Sequence, residues 1–384
     1  MNASIITELD LHALQSFNYI FTVVRGIQAG REYYVTMCPL SLIPNLFPSN
    51  EENYLPVELR AQRILNKARI SQITKYIINN PTEYVFPSLT ISIESRVTFK
   101  SIIEMPDCKI GLLIVPMSAR FIINDGQHRI AAIKEALRTL PKLGKETIPI
   151  IFFVDAGLKR SQQMFTDLNR YAVRPANSLN ILYDHRDNIA RLTIKVSSNI
   201  PIFKDRVEFE KTTLSPNSKK LFTLSNLYQA IKALLGNTNK VTREEENLCI
   251  AYWTKVSEYI REWRLLLEGK IDIKELRENF ISVHGVTLHS LGIVGHYLLI
   301  KYPANWADKL IKLKDIDFSR SNKLWHGRTI VNGRISKAYI NIILTSNLIK
   351  YYLGLDLSPY ERRIEDNYIN NKKVKLNIEK EESY

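Results

Sequence analysis

The sequence predicts a mixed-sheet α/β (α+β) domain followed by a largely α-helical one. Up to about residue 200, short apolar runs rich in β-branched residues alternate with helical stripes. Several connections between those runs are too short for helical crossovers, so the sheet is expected to be mixed rather than doubly wound. Beyond Pro201 the periodic segments mostly carry the spacing of helices. The expected organisation is 13–200 for the first domain, 201–357 for the helical domain, and a charged tail prone to fray over 358–384.

The elements follow in order. Tyr19 to Arg25 and Tyr33 to Met37 read as strands, and Pro39, Pro44 and Pro48 mark loops. From Glu58 an apolar stripe of Ala61, Ile64, Leu65, Ala68, Ile73, Tyr76 and Ile77 predicts a helix, stopped at Asn79-Asn80-Pro81. Leu89 to Ile93, Ile110 to Val115 and Arg120 to Asn124 are the next strands. A helix from Ile130 follows, then a strand over Ile148 to Val154, with Pro149 near its start where proline is tolerated. Ser161 to Asn169 reads as helical. Ser178 is expected to cap one helix running past Arg191. Arg206 to Phe209 is extended. Helices are expected over Ser225 to Leu235, Glu244 to Leu267, Phe280 to Ile300 and Tyr339 to Leu353. Trp253, Trp263, Trp306 and Trp325 are expected in the core or an interface.

A net charge of +14 and a pI near 9.5 favour polyanionic partners and say little about fold. Cys38, Cys108 and Cys249 match no zinc or iron–sulfur spacing, and so few cysteines suit a reducing cytoplasm. No run approaches the roughly 18 apolar residues of a membrane span. The start Met1-Asn2-Ala3-Ser4 lacks the basic flank and apolar core of a signal peptide. Walker A, GxSxG, GxGxxG and HExxH patterns are all missing, and the seven histidines form no such pattern.

Asp125-Gly126-Gln127-His128-Arg129 lies between a strand and a helix. Such a turn directs backbone N–H groups to one spot, where the helix dipole favours an anion. Gly126 permits close approach, and Arg129 is a cation in a first turn that gains nothing from the dipole. The local alternative is a plain cap, with Asn124 or Asp125 at the helix start and Arg129 paired to a carboxylate. Asp184, Asp187, Asn188 and Arg191 fall at helical spacing on one polar face. Two carboxylates one turn apart either help hold a divalent metal or pair with Arg186 and Arg191. Arg60, Arg63, Lys67 and Lys75 form either a solvated face or a phosphate-tracking one. Cys38 is a candidate reactive or contact thiol, or a small buried hydrophobe.

The Asp125–Arg129 stretch resembles the signature of the DGQHR-domain proteins and, through them, the ParB/sulfiredoxin-like superfamily. Met164 to Arg170 resembles a second family block, and Ser178 with Leu182 to Asp187 a third. Leu324 to Gly327 and Asn347 to Gly354 resemble the DndB-type DNA sulfur-modification proteins. The resemblance implies a ParB-like first domain. It also implies a catalytic or phosphate-binding role for Asp125, Gly126, Gln127, His128 and Arg129. Asp167, Asn169, Arg170, Asp184, Arg186 and Asp187 would then support the pocket. On the phosphate-tracking reading of their stripe, and not from the resemblance, Arg60, Arg63 and Lys67 are expected to contact duplex DNA.

Two functions follow from the resemblance. One is a DNA-binding regulator of transcription of phosphorothioation genes, working beside other DNA sulfur-modification proteins. The other is a nucleotide hydrolase of ATP or CTP type, or a DNA-nicking enzyme, using a nucleoside triphosphate with Mg. No residue is assigned to a metal. No cysteine lies in the motif, so sulfinic-acid reduction is not expected.

Overall fold

Ala29 and Gly30 both take positive φ, 51° and 72°, and link β1 (Asn18–Gln28) to β2 (Arg31–Pro39) in an antiparallel hairpin. Two-residue loops of this handedness match the twist of the strands they join. The computed structural model describes residues 17–381 apart from 49–64, 107, 155–156, 171–174, 216, 237 and 239. Contacts cluster into two compact units, Met1–Val173 and Arg174–Tyr384.

In the first unit, the hairpin is joined by β3 (Leu89–Glu94), β4 (Thr98–Met105), β5 (Cys108–Pro116), β6 (Arg120–Asp125) and β7 (Thr147–Val154). The sheet order is β4-β5-β1-β2-β7-β3-β6. Every pairing in it is antiparallel except β3 with β7. The expected mixed sheet is therefore present. Alternation puts Phe21, Val23, Tyr34, Thr36 and Cys38 inward from the hairpin. Among the described residues this unit has four α-helices: α1 (Ile43–Leu46), α2 (Lys67–Asn79), α3 (Gln127–Thr139) and α4 (Gly157–Arg170). Ile70 and Ile77 of α2 and Ile130, Ile133 and Ala136 of α3 join the core under the sheet.

The strand β4 was not among the expected ones. It lies on the sheet edge, is almost wholly exposed, and carries a register shift between Ser101 and Ile103. With Ile102 and Ile103 adjacent, it lacks the alternation that marks a half-buried strand. Its backbone pairing with β5 makes it a strand.

In the second unit, helices dominate, as expected. They are α5 (Asn177–Tyr183), α6 (Asn188–Asn199), α7 (Leu224–Leu235), α8 (Arg243–Tyr259), α9 (Arg261–Leu267), α10 (Ile273–Asn279), α11 (Gly285–Lys301), α12 (Trp306–Leu310), α13 (Tyr339–Leu353) and α14 (Pro359–Glu381). Residues 174–200, assigned to the first domain on sequence, cluster with this unit: Ile189, Leu192, Val196 and Ile200 pack into its core. Trp253, Trp263 and Trp325 are fully buried, and Phe203 meets Trp253 and Trp263 edge-on.

Within the second unit, three helix boundaries depart from the periodicity. The single helix expected from Ser178 is interrupted at Asp184–Asp187. Ser178 is no cap; its buried Oγ donates to the Lys211 carbonyl and accepts from Ser225 N–H. The helix expected over Glu244–Leu267 breaks at Ile260, whose extended ψ of 113° drives its side chain fully into the core. The helix expected from Phe280 starts only at Gly285.

The expected tail begins as a docked helix. Lys350 Nζ meets both Glu361 oxygens at 2.7 and 2.8 Å in a buried pair, and Arg328 holds Glu365 through both its Nη atoms. Glu262 of α9 is a different case. It is 4% exposed and one of its carboxylate oxygens lacks a partner; burial raises its pKa to about 7.

Candidate functional site

The strand β6 runs into α3 through Gly126, which occupies the N-cap position at φ 109°, ψ 10°. A side chain disfavours this backbone, and a Cβ there would lie 2.4 Å from Leu89 Cδ2. Thr90 stands opposite Asp125 beside a register shift in the β3–β6 ladder. Such irregularities re-aim the chain at the end of a strand. The alternative of a side-chain cap from Asn124 or Asp125 does not hold, because α3 has no side-chain cap. Asn124 instead points inward, donating from Nδ2 to Ser92 Oγ at 2.7 Å and contacting Met164 Sδ of α4 at 3.9 Å.

Arg129 folds back on the turn. Nη2 donates to Asp125 Oδ2 at 2.6 Å, while Nη1 donates to the Ser88 carbonyl at 3.0 Å and to the Pro87 carbonyl. The Arg129 side chain is 12% exposed and that of Asp125 45%. Burial lowers the guanidinium pKa, and the Asp125 carboxylate opposes that shift. This arginine therefore clips the entry of β3 to the start of α3.

His128 Nε2 accepts from the Asn66 N–H at 3.0 Å, and Asn66 Oδ1 in turn caps α2 at Arg69 N–H. That nitrogen is unprotonated when it accepts. The first turns of α2 and α3 are thus joined through His128. The helices pack along their lengths, so two helix N-termini lie side by side with exposed Lys67 and Arg69 on one of them. Sequence reasoning missed Asn66 and Arg69. An asparagine just ahead of Lys67 was the available signal for a helix start there.

The other candidates are dispersed. Asp167, Asn169 and Arg170 are exposed on the last turns of α4, which packs on β6. Asp167 accepts from Gln163 Nε2, and Asn169 donates to the Phe165 carbonyl. Asp184, Arg186 and Asp187 belong to the second unit. Asp184 Oδ1 accepts from the N–H groups of Arg186 and Asp187. Asp187 caps α6 through Ile189 and Ala190 N–H and accepts from Tyr228 OH at 2.6 Å. Asp184 and Asp187 are thus turn and cap groups rather than the face of one helix. Among the described residues no group of three or more His, Cys, Asp or Glu is placed to hold a metal ion.

Cys38 is fully buried at the end of β2, and burial pushes its thiol up to about 12, which leaves it protonated and a poor nucleophile. Here it is a core side chain. Arg60 and Arg63 lie outside the described residues.

These features define a class: a mixed-sheet unit bearing a glycine-pivoted strand–turn–helix, carried in one basic chain with a helical unit. The chain belongs to the DndB family, described as DNA-sulfur modification-associated, whose model matches residues 21–356. That places its role in a DNA sulfur modification system. No curated protein and no solved structure matches the chain. No described helix is long and apolar enough to cross a membrane.

Proposed function

We propose that this protein is a DNA-binding regulator of the sulfur modification system, acting on transcription of the modification genes and working beside other modification proteins. The observation that carries the reading is family membership across both units. The charge of +14 suits a polyanionic partner. Lys67 and Arg69 supply a phosphate contact at the first turn of α2, where the helix dipole adds to their charge. Kinship of the first unit with the DGQHR and ParB-like proteins belongs to the same proposal. A nucleotide hydrolase or nickase worked from the turn would first have to release Arg129 from Pro87, Ser88 and Asp125.

Fluorescence anisotropy with duplex DNA from the promoter of the modification genes, taken across a salt series, tests this. Affinity should fall steeply with salt as neutralised phosphates release counterions. Lys67→Ala with Arg69→Ala should weaken binding and reduce the logarithmic salt slope by about 2, one unit per lost phosphate contact. An unchanged slope removes α2 from the interface, and no binding at low salt overturns the DNA reading.

A further inference from the structure

A cavity of about 210 Å³ opens in the helical unit where α11 begins. Its polar lining comes from four separate stretches of chain: Thr212 and Thr213, Asn226 of α7, Arg277 of α10 with His284, and Lys337. No carboxylate lines it among the described residues. Lys337 makes no ion pair among those residues either, although neighbouring atoms desolvate it and lower its pKa. Arg277, held by Nη1 on the carbonyls of Ser215 and Ser218, is likewise lowered by burial. With two cations and no acid in its described lining, the cavity presents a positive potential that favours an anion.

The wall is also shaped for donation. Gly285 is the first residue of the seventeen-residue helix α11, so its first-turn N–H groups and dipole face the N-terminal end. A Cβ on Gly285 would fall 2.5 Å from Asn226 Oδ1 and 2.8 Å from Nδ2, so the Asn226 amide rests directly on that turn. His284 is fixed in the wall by its neighbours. Its Nε2 lies 3.2 Å from Arg320 Nη2, and its backbone partner is Arg277. Burial and then Arg320 hold its pKa at about 4, so at neutral pH the imidazole is uncharged and accepts from Arg320. Lysine, arginine, threonine hydroxyls and an amide around one small cavity are the donor set for tetrahedral phosphoryl oxygens.

We propose that this pocket is a second, separate anion site, taking the phosphate group of a nucleotide or of a nucleic-acid backbone. It stands independently of the DNA contact assigned to α2.

Isothermal titration of the full chain with inorganic phosphate, against chloride at matched ionic strength, reads the site directly, and ³¹P line broadening reports the same event. Saturable binding is expected. Lys337→Gln should weaken it about tenfold through loss of one charge-assisted hydrogen bond. Gly285→Ala, which displaces the Asn226 amide, should weaken it too. Lys337 sits on the exposed rim, so its variant should melt with the wild type and loss of binding cannot be ascribed to unfolding. No saturable binding, or equal binding by wild type and Lys337→Gln, overturns the site. Adenosine monophosphate and a short duplex then compete with phosphate. Displacement by the mononucleotide assigns a free nucleotide, displacement by duplex alone assigns the backbone, and displacement by neither overturns the proposed ligand class. A protein that binds phosphate but no duplex keeps the pocket and loses the DNA reading. One that binds duplex but no phosphate keeps the DNA reading and loses the pocket.

Discussion

The Asp125–Arg129 turn and the head of α11 both gather cations near a helix start, and they differ in what those cations face. At the Asp125–Arg129 turn, Arg129 is aimed inward at two backbone carbonyls and Asp125. At the head of α11, Arg277 and Lys337 line a cavity that has no carboxylate in its described wall. The conspicuous motif therefore satisfies its own arginine within the turn, whereas at the pocket Arg277 rests on the Ser215 and Ser218 carbonyls and Lys337 stays exposed with no ion pair among the described residues. A cation in a first turn becomes a ligand group only after its acceptors within the protein are counted.

The sharpest way to break this comparison is Arg129→Ala. If the arginine is a clip, its loss leaves the Pro87 and Ser88 carbonyls short of a donor and Asp125 unpaired. Thermal or urea unfolding should then show a loss of roughly 2–4 kcal/mol in the first unit. Unchanged stability with selective loss of anion binding would make the turn a ligand site like the pocket.

The second effect lies in the helical unit. Glu262 has a folded pKa of about 7 against an ordinary 4.5, with burial the main cause. The folded state thus holds a proton that the unfolded state releases. Stability from this group is full below about pH 4.5 and is lost as pH rises through 7. The loss across that window should be on the order of 2–3 kcal/mol. Unfolding curves at pH 5 and pH 8 should show it, and Glu262→Gln should flatten it. A pH-independent wild type in this range would remove the buried neutral acid.

The smallest effect is expected for Lys337→Gln, whose exposed side chain should contribute less than about 0.5 kcal/mol to stability. A larger loss in unfolding would turn Lys337 into a structural cation like Arg129 and erase the contrast.

Much of the fold was legible in the residues. Period-two runs located most of the sheet strands, the helical period located the second unit, and Asp125-Gly126 marked a turn that the structure bears out with Gly126 at φ 109°. The candidate site was legible only as a stretch of chain. The carbonyls that hold Arg129 belong to Pro87 and Ser88, 42 and 41 residues away, and a backbone carbonyl has no side-chain signature. For the same reason the second anion pocket was invisible: its lining spans Thr212 to Lys337 and no two of its stretches form a motif. The breaks at Asp184–Asp187 and Ile260 follow from core packing and caps, with neither proline nor glycine to announce them. Short-range chemistry, meaning period, turn residues and the glycine pivot, was thus determined by sequence alone. Which polar groups meet, and which charges are left facing a cavity, was decided by the tertiary structure, because those contacts join residues far apart along the chain.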